Sequence, residues 1–179
     1  MLSEPLPSTL DVRKAAGRGV SVRGALKPLD LQRFRALLAD DDGVIQAGLS
    51  FTRDEENRYI IQLAITAEVV VTCQRCLEPL PHALACDNTL AVVWTDEQAA
   101  HLPRHLEPLV VEDEACNLWD VVEDELILAL PSFSYHDTGE CQQILARFNA
   151  AEAPSEEVVP VEKPNPFNVL AQLKPGSKT

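Results

Sequence analysis

The sequence has few aromatic side chains, no long apolar run, and little lysine or arginine beyond its first third. Aromatic residues make up 5% of the 179 positions, so the core must be built mainly from aliphatic side chains. No run of 18 apolar residues occurs, which argues against a membrane-spanning helix. The first twenty residues mix prolines and charges without a continuous apolar stretch, unlike a secretory signal. We therefore expect a cytoplasmic protein without membrane contact.

The shortage of positive charge is confined to the later part of the chain. Residues 1–60 carry nine Lys or Arg against nine Asp or Glu, whereas residues 61–179 carry six against nineteen, for a net charge of −13. Such a surface repels phosphate backbones and attracts basic proteins. Direct RNA contact would use the charge-balanced N-terminal third, where basic residues concentrate. The six candidate RNA-contact residues are Arg13, Lys14, Arg18, Arg23, Arg33 and Arg35.

Strand-like segments separated by short turns indicate an antiparallel sheet. They cover residues 20–26, 44–53, 58–73, 80–94 and 107–111. A short amphipathic helix is predicted within 28–43, and a longer one over 118–130, with Asn117 as its cap and Pro131 after its end. We predict an α+β domain over residues 1–148, with a mainly antiparallel, curved β-sheet or partial barrel and a few packed helices.

The composition changes at residue 149. Residues 149–164 are rich in Pro, Glu and Ala and poor in large apolar side chains, which predicts a disordered linker. Residues 165–174 show an Asn-Pro start and apolar side chains at helical spacing. A helix this short is marginal in water, so we predict that it docks, either on its own domain or in a partner's groove. The partner-binding residues predicted here are Pro164, Asn165, Pro166, Phe167 and Leu170.

Five cysteines in a chain without an export signal favour reduced thiols or metal ligands over disulfides. Cys73 and Cys76 are the strongest local signal, because a Cys-x-x-Cys turn places two sulfurs on one cation, and a structural zinc site needs four ligands. The pair could also act as a metal-free redox dithiol. Two His-Cys pairs are available to complete a metal site: His82 with Cys86, and His136 with Cys141.

Residue patterning disfavours the nearer pair and the dithiol. In extended chain His82 and Cys86 would lie roughly 13 Å apart at about 3.3 Å per residue, too far for one cation. No βαβ pattern or helix start follows Cys76 to depress a thiol pKa. We expect Cys86 and Cys116 to be small core residues. Three histidines are expected at the surface or on strands: His82, His101 and His105.

Three segments, in this order, resemble the YceD family, also called DUF177, the bacterial large ribosomal RNA subunit accumulation proteins. They are CQRCLEPL at 73–80, DVVEDELILALPSFSYH at 120–136 with Cys141 beyond it, and KPNPFNVLAQLK at 163–174. The resemblance extends from about Leu10 to Lys174. It implies a cytoplasmic, non-enzymatic factor required for synthesis, processing or stability of 23S rRNA.

The resemblance also implies how the metal site is completed. After the helix of the second segment, family members place a Cys or His and then a Cys five residues on, and here these are His136 and Cys141. The implied ligands are therefore Cys73, Cys76, His136 and Cys141, and zinc is the expected ion for three thiolates and one imidazole. A zinc ion bound by these residues would close a long loop of the chain. A full set of four protein ligands leaves no open position for water, which argues against a metal hydrolase.

The implied role and the acidic charge together suggest a basic large-subunit ribosomal protein or assembly factor as the direct partner. Glu123, Asp124 and Glu125 are either the solvated face of their helix or a docking site for that partner's Lys and Arg. No small-molecule substrate is expected. The alternative function is a zinc-stapled protein-interaction adaptor unrelated to rRNA.

Overall fold

The computed structural model describes residues 4–151, in which seven strands and five helices form an α+β fold. This confirms the predicted fold class. The elements in chain order are β1 (Thr9–Asp11), α1 (Val12–Arg18), β2 (Ser21–Leu26), α2 (Gln32–Arg35), β3 (Gly43–Arg53), β4 (Tyr59–Thr72), β5 (Pro79–Val93), α3 (Asp96–Ala100), β6 (Glu107–Val110), β7 (Ala115–Asn117), α4 (Leu118–Ala129) and α5 (Thr138–Ala151).

Five of the strands form an open sheet in the order β2-β3-β4-β5-β6. The first four pair antiparallel, as predicted, and β6 pairs parallel to β5. Strands β4 and β5 stay in continuous register from Tyr59 opposite Val92 to Thr72 opposite Pro79. The two strands therefore extend together to one end of the sheet, where the turn with Cys73 and Cys76 joins them.

One face of the sheet is apolar because alternate side chains of each strand point to the same side. Ile45, Leu49 and Phe51 of β3 are at most 1% exposed, and so are Ile61 and Ile65 of β4. Helices α1 and α4 contact strands of this sheet. Each such side chain contributes roughly 1.5–3 kcal/mol by leaving water, before the cost in conformational entropy.

Helix α4 fastens the N-terminal segment to the sheet. The Asn117 side chain accepts the N–H of Trp119 at 3.1 Å, which is the predicted cap. The Trp119 indole N–H in turn donates to the carbonyl of Leu6 at 2.9 Å. The backbone of Leu6 lies against Gly24, where a Cβ atom would come within 2.4 Å of it. Only glycine permits this close approach.

Several short elements differ from the prediction. Helix α1 was not predicted, although Asp11 caps it by accepting the Lys14 N–H at 3.0 Å and Gly19, at φ 63°, ends it. Strands β1 and β7 pair with each other but span three residues each, too short to show a period. Conversely, the amphipathic helix expected within 28–43 is reduced to a 3-10 turn at Pro28–Asp30 and the single-turn α2.

Helix α5 changes the predicted end of the domain. It was not expected from the sequence, and it continues to Ala151, three residues into the predicted linker. The remainder of that linker and the predicted helix at 165–174 lie outside the described residues. Among residues 4–151, no helix is long and apolar enough to cross a membrane.

Candidate metal centre

The first half of the site is the turn between β4 and β5. The Cys73 N–H donates to the carbonyl of Glu78 and the Leu77 N–H donates to the carbonyl of Cys73, both at 2.9 Å. Leu77 closes the turn in the left-handed region, at φ 62°. This tight turn brings the Cys76 side chain to the same side as Cys73, and both are buried, at 4% and 0% exposed.

The second half comes from the loop between α4 and α5. The Gln74 N–H donates to the carbonyl of Ser134 at 2.9 Å, which joins the two loops backbone to backbone. This contact brings His136 beside the turn, so that its N–H points at the Cys73 sulfur at 3.5 Å. Cys141 follows in the first turn of α5, with its N–H bonded to the carbonyl of Asp137 at 3.2 Å, and is completely buried.

The structure brings the four predicted ligands together. The ligand atoms of Cys73, Cys76, His136 and Cys141 all lie within 4.8 Å of one another. The Sγ of Cys141 is 3.6 Å from that of Cys73 and 3.8 Å from that of Cys76, and the Cys76 Sγ is 3.3 Å from Nδ1 of His136. A tetrahedron with Zn–S bonds of about 2.3 Å has S–S edges of about 3.8 Å. The cluster therefore has the dimensions of a tetrahedral site, whereas a disulfide requires about 2.05 Å.

The second nitrogen of His136 fixes the ring. Its Nε2 lies 3.0 Å from the carbonyl oxygen of Pro79, which can only accept a hydrogen bond. Nε2 therefore carries the proton, and in the neutral ring Nδ1 presents its lone pair to the sulfurs. Metal-binding histidines are oriented by such an outer bond. This role of Pro79 could not be predicted from the sequence, because the contact depends on where β5 begins.

The electrostatics of the cluster favour one thiolate. Burial opposes ionisation of Cys73, but the N–H groups of Cys76, His136 and Arg75 around its sulfur outweigh this and lower its pKa to about 5. Burial, together with the neighbouring Cys73 and Cys76, raises the pKa of Cys141 to about 11. Because a cation binds the deprotonated sulfur, metal binding would release protons, and the affinity should weaken in acid.

The other candidate ligands lie elsewhere. His82 and Cys86 lie half-buried on β5, which confirms that this segment is extended, and neither residue belongs to the cluster. Cys116 on β7 is 4% exposed, which confirms its assignment to the core, and burial with nearby Asp120 raises its pKa to about 11. Cys86 packs against the edge of the core. His101 and His105 are exposed, also as predicted.

The predicted acidic docking site on α4 needs correction. Glu123 and Glu125 are 5% and 8% exposed, and only Asp124 faces solvent. Residues two apart lie on nearly opposite sides of a helix, and α4 is flanked by α2 on one side and β5 on the other. Glu123 consequently accepts a hydrogen bond from Arg33, and Glu125 accepts one from Asn88. The three residues do not offer three free carboxylates to a partner.

The six basic residues predicted for RNA contact do not form a free cationic patch. Four of them are occupied within the chain: Lys14 pairs with Asp11, Arg35 with Asp41, Arg33 with Glu123 and Asp124, and the Arg13 guanidinium lies 4.4 Å from the Trp94 ring centre. Arg18 and Arg23 take part in no ion pair among the described residues. RNA contact through this set stays a prediction.

The comparison with known families decides what the chain is related to. A family model described as large ribosomal RNA subunit accumulation protein YceD matches residues 61–174, which include both halves of the Cys3His cluster. The chain belongs to the YceD family. The large ribosomal RNA subunit accumulation protein YceD of Haemophilus influenzae is 34% identical over 170 residues, covering 94% of this chain and 96% of that relative. No solved structure matches the chain significantly.

Proposed function

We propose that this YceD family protein is a non-enzymatic cytoplasmic factor that supports accumulation of 23S rRNA by aiding its synthesis, processing or stability. The observation that carries the proposal is the match to a relative named for accumulation of the large ribosomal RNA subunit, along nearly the whole of both chains. The closed geometry of the metal cluster supports the non-enzymatic part. Four protein ligands occupy all four coordination positions of a tetrahedral zinc ion and leave none for a reacting water.

The ion that suits the cluster is zinc, in a structural role. Three thiolates and one imidazole are soft and borderline donors, which exclude magnesium and calcium and suit zinc. Cys73 and Cys76 would hold it from the β4–β5 turn, and His136 and Cys141 from the chain around the start of α5. The ion would cross-link segments 60 to 68 residues apart in sequence, so its main contribution is to stability.

The direct partner in this proposal is a basic large-subunit ribosomal protein or assembly factor. Residues 105–146 contain ten acids and no Lys or Arg, and three basic residues of the N-terminal third, Lys14, Arg33 and Arg35, are in ion pairs within the chain. An acidic surface gains little from counterion release on RNA but attracts basic protein segments. Contact with rRNA is thus expected through the partner.

The test is the ratio of 23S to 16S rRNA in a bacterium that lacks its own family member. We expect this ratio to fall in the deletion strain and to be restored by this chain expressed from a plasmid. A variant with Cys73 and Cys141 changed to Ser should restore it poorly, whereas Cys86→Ser should restore it fully. A normal ratio in the deletion strain would instead favour the alternative, an interaction adaptor with no link to rRNA.

A further inference from the structure

Two aromatic rings are displayed at the surface beside the metal centre. Phe133 and Tyr135 lie on the loop between α4 and α5, with ring centres 6.3 Å apart and planes only 4° from parallel. They are 69% and 46% exposed. The guanidinium of Arg75, from the Cys-x-x-Cys turn, lies 5.0 Å from the Tyr135 ring centre. Leu77, from the same turn, is 76% exposed. We call these four residues the aromatic platform.

The backbone holds this platform in place. Ser134, between the two aromatic residues, is buried and its carbonyl accepts the Gln74 N–H. The side chains of Phe133 and Tyr135, on either side of Ser134, are both exposed. In the Cys-x-x-Cys turn, Cys76 is likewise buried between two exposed residues, Arg75 and Leu77. A surface that is already ordered loses little conformational entropy when it binds.

The composition of the platform is that of a protein-interaction surface. Aromatic side chains and Arg are enriched at the centres of such interfaces and dominate their affinity. The chain has only five Phe, two Trp and two Tyr. Phe34 and Phe51 are in the core, at 0% exposed, and among the exposed rings of residues 4–148 only Phe133 and Tyr135 stack on each other. Leaving two rings stacked in water therefore points to a ligand rather than to packing.

The charge around the platform indicates the chemistry of that ligand. Glu78 adjoins Leu77, while Asp137 and Glu140 follow Tyr135 within five residues. Asp137 and Glu140 are exposed. The aromatic platform contributes a single cation, Arg75, which takes part in no ion pair among the described residues. Nucleic acid would meet this acidic rim with repulsion, whereas a cationic peptide would be attracted to it.

We propose that the aromatic platform of Arg75, Leu77, Phe133 and Tyr135 is the docking surface for a Lys- and Arg-rich segment of a partner protein. Cations of that segment would lie over the exposed Phe133 ring, with their aliphatic stems on Leu77 and the rim carboxylates nearby. The Arg75 guanidinium would donate to carbonyl oxygens of the segment. This inference rests on the proposed function, because it places the basic partner at one surface.

The test uses the full chain loaded with zinc and peptides that tile the basic segments of the large-subunit ribosomal proteins. Binding is measured by fluorescence anisotropy. We expect at least one Lys- and Arg-rich peptide to bind, and the double change Phe133→Ala with Tyr135→Ala to weaken it by about tenfold or more. The control Leu37→Ala, which removes an exposed leucine outside the aromatic platform, should leave peptide binding unchanged. Unchanged metal content and melting temperature would show that the double variant remains folded.

Three outcomes would overturn the proposal. They are the absence of peptide binding, equal binding by the double variant, or preferential binding of 23S rRNA fragments that is lost in that variant. A peptide with Gln at its Lys and Arg positions should not bind. Failure here is distinguishable from failure of the proposed function, because the 23S to 16S ratio in the deletion strain does not depend on which surface binds.

Discussion

Glu123 of α4 and Arg33 of α2 are ninety residues apart in sequence and are joined by two hydrogen bonds, and the same carboxylate accepts a third from Phe34. The Arg33 Nε donates to Oε2 at 2.8 Å, while the backbone N–H groups of Arg33 and Phe34 donate to Oε1 at 2.6 and 3.0 Å. The first N–H groups of a helix have no partner within it, and Leu31 at the cap position offers no side-chain acceptor. Glu123 therefore caps α2 from a distant helix.

Removing this carboxylate should destabilise the protein. Glu123→Ala leaves the backbone N–H groups of Arg33 and Phe34 without their acceptor, which we expect to cost about 2–4 kcal/mol in the free energy of unfolding. Urea denaturation at pH 7 measures this. The matched control is Asp124→Asn, because Asp124 bonds to the same arginine but is exposed, where ion pairs contribute little. Equal effects of the two changes would contradict the capping role.

The capping contact also predicts a pH dependence. Burial alone would raise the pKa of Glu123, but the Phe34 and Arg33 N–H groups and the Arg33 charge outweigh it and lower the pKa below 4.5. The stabilisation is therefore complete above pH 4.5 and is lost as the pH falls through the lower value of the folded state. Stability curves measured from pH 7 to 3 should converge for wild type and Glu123→Gln as the pH falls.

Glu125 should behave in the opposite way. Burial raises its pKa, and the charges of Glu107 and Asp124 add to this, against the hydrogen bond from Asn88. The charged form is thus disfavoured in the folded state, and this penalty is present above the raised pKa and absent in acid. Glu125→Gln keeps a bond to Asn88 and should raise the free energy of unfolding slightly at pH 7–8, by less than about 1 kcal/mol. A loss of stability would show that the charge is needed.

These acids illustrate what sequence reasoning could and could not predict. The pattern of Leu118, Val122 and Leu126 predicted α4 and its buried face, because periodicity is a local property. It did not predict that Glu123 and Glu125 are buried, since that depends on α2 and Asn88, which are distant in sequence. A run of acids on a helix is indistinguishable from a solvated face until its neighbours are known.

The metal centre predicts about one zinc per chain. Elemental analysis after purification without chelator should find it, and Cys73→Ser or Cys141→Ser should remove it. Cys86→Ser and Cys116→Ser should leave the metal content unchanged, because both residues lie outside the cluster. Removal with EDTA should lower the melting temperature by at least about 5 °C. Metal-free protein with a melting temperature insensitive to EDTA would refute the site.

Loss of the metal should release α5 before the rest of the fold. Cys141 and Ile144 of this helix pack in the small cluster around Cys73 and Cys76, separate from the main core. The neighbouring Leu145 and Phe148 are 37% and 53% exposed. After chelation we expect amide hydrogen exchange to accelerate in 138–148 while β3 and β4 stay protected. Uniform acceleration would mean that the cluster supports the whole domain.

Only two of the four metal ligands could be predicted from the residues themselves. The Cys-x-x-Cys spacing identifies Cys73 and Cys76 as candidate ligands. His136 and Cys141 were assigned by resemblance to a family, because no local sequence rule connects segments so far apart. Helix α5, which carries Cys141, was missed since its residues have weak apolar periodicity and few large side chains. Phe133 and Tyr135 could have been noticed as an aromatic pair at alternate positions, but their exposure required the Ser134 contact.

The tail gives the last prediction. The predicted docking segment around Phe167 and Leu170 lies outside the described residues, among which the main core and the Cys3His cluster are found. The family match nevertheless continues to residue 174, and a helix that only packed would need apolar spacing but not the sequence KPNPF. We predict that deleting residues 163–179 leaves melting temperature and metal content unchanged but abolishes restoration of the 23S to 16S ratio. A large fall in melting temperature would instead assign the tail a structural role.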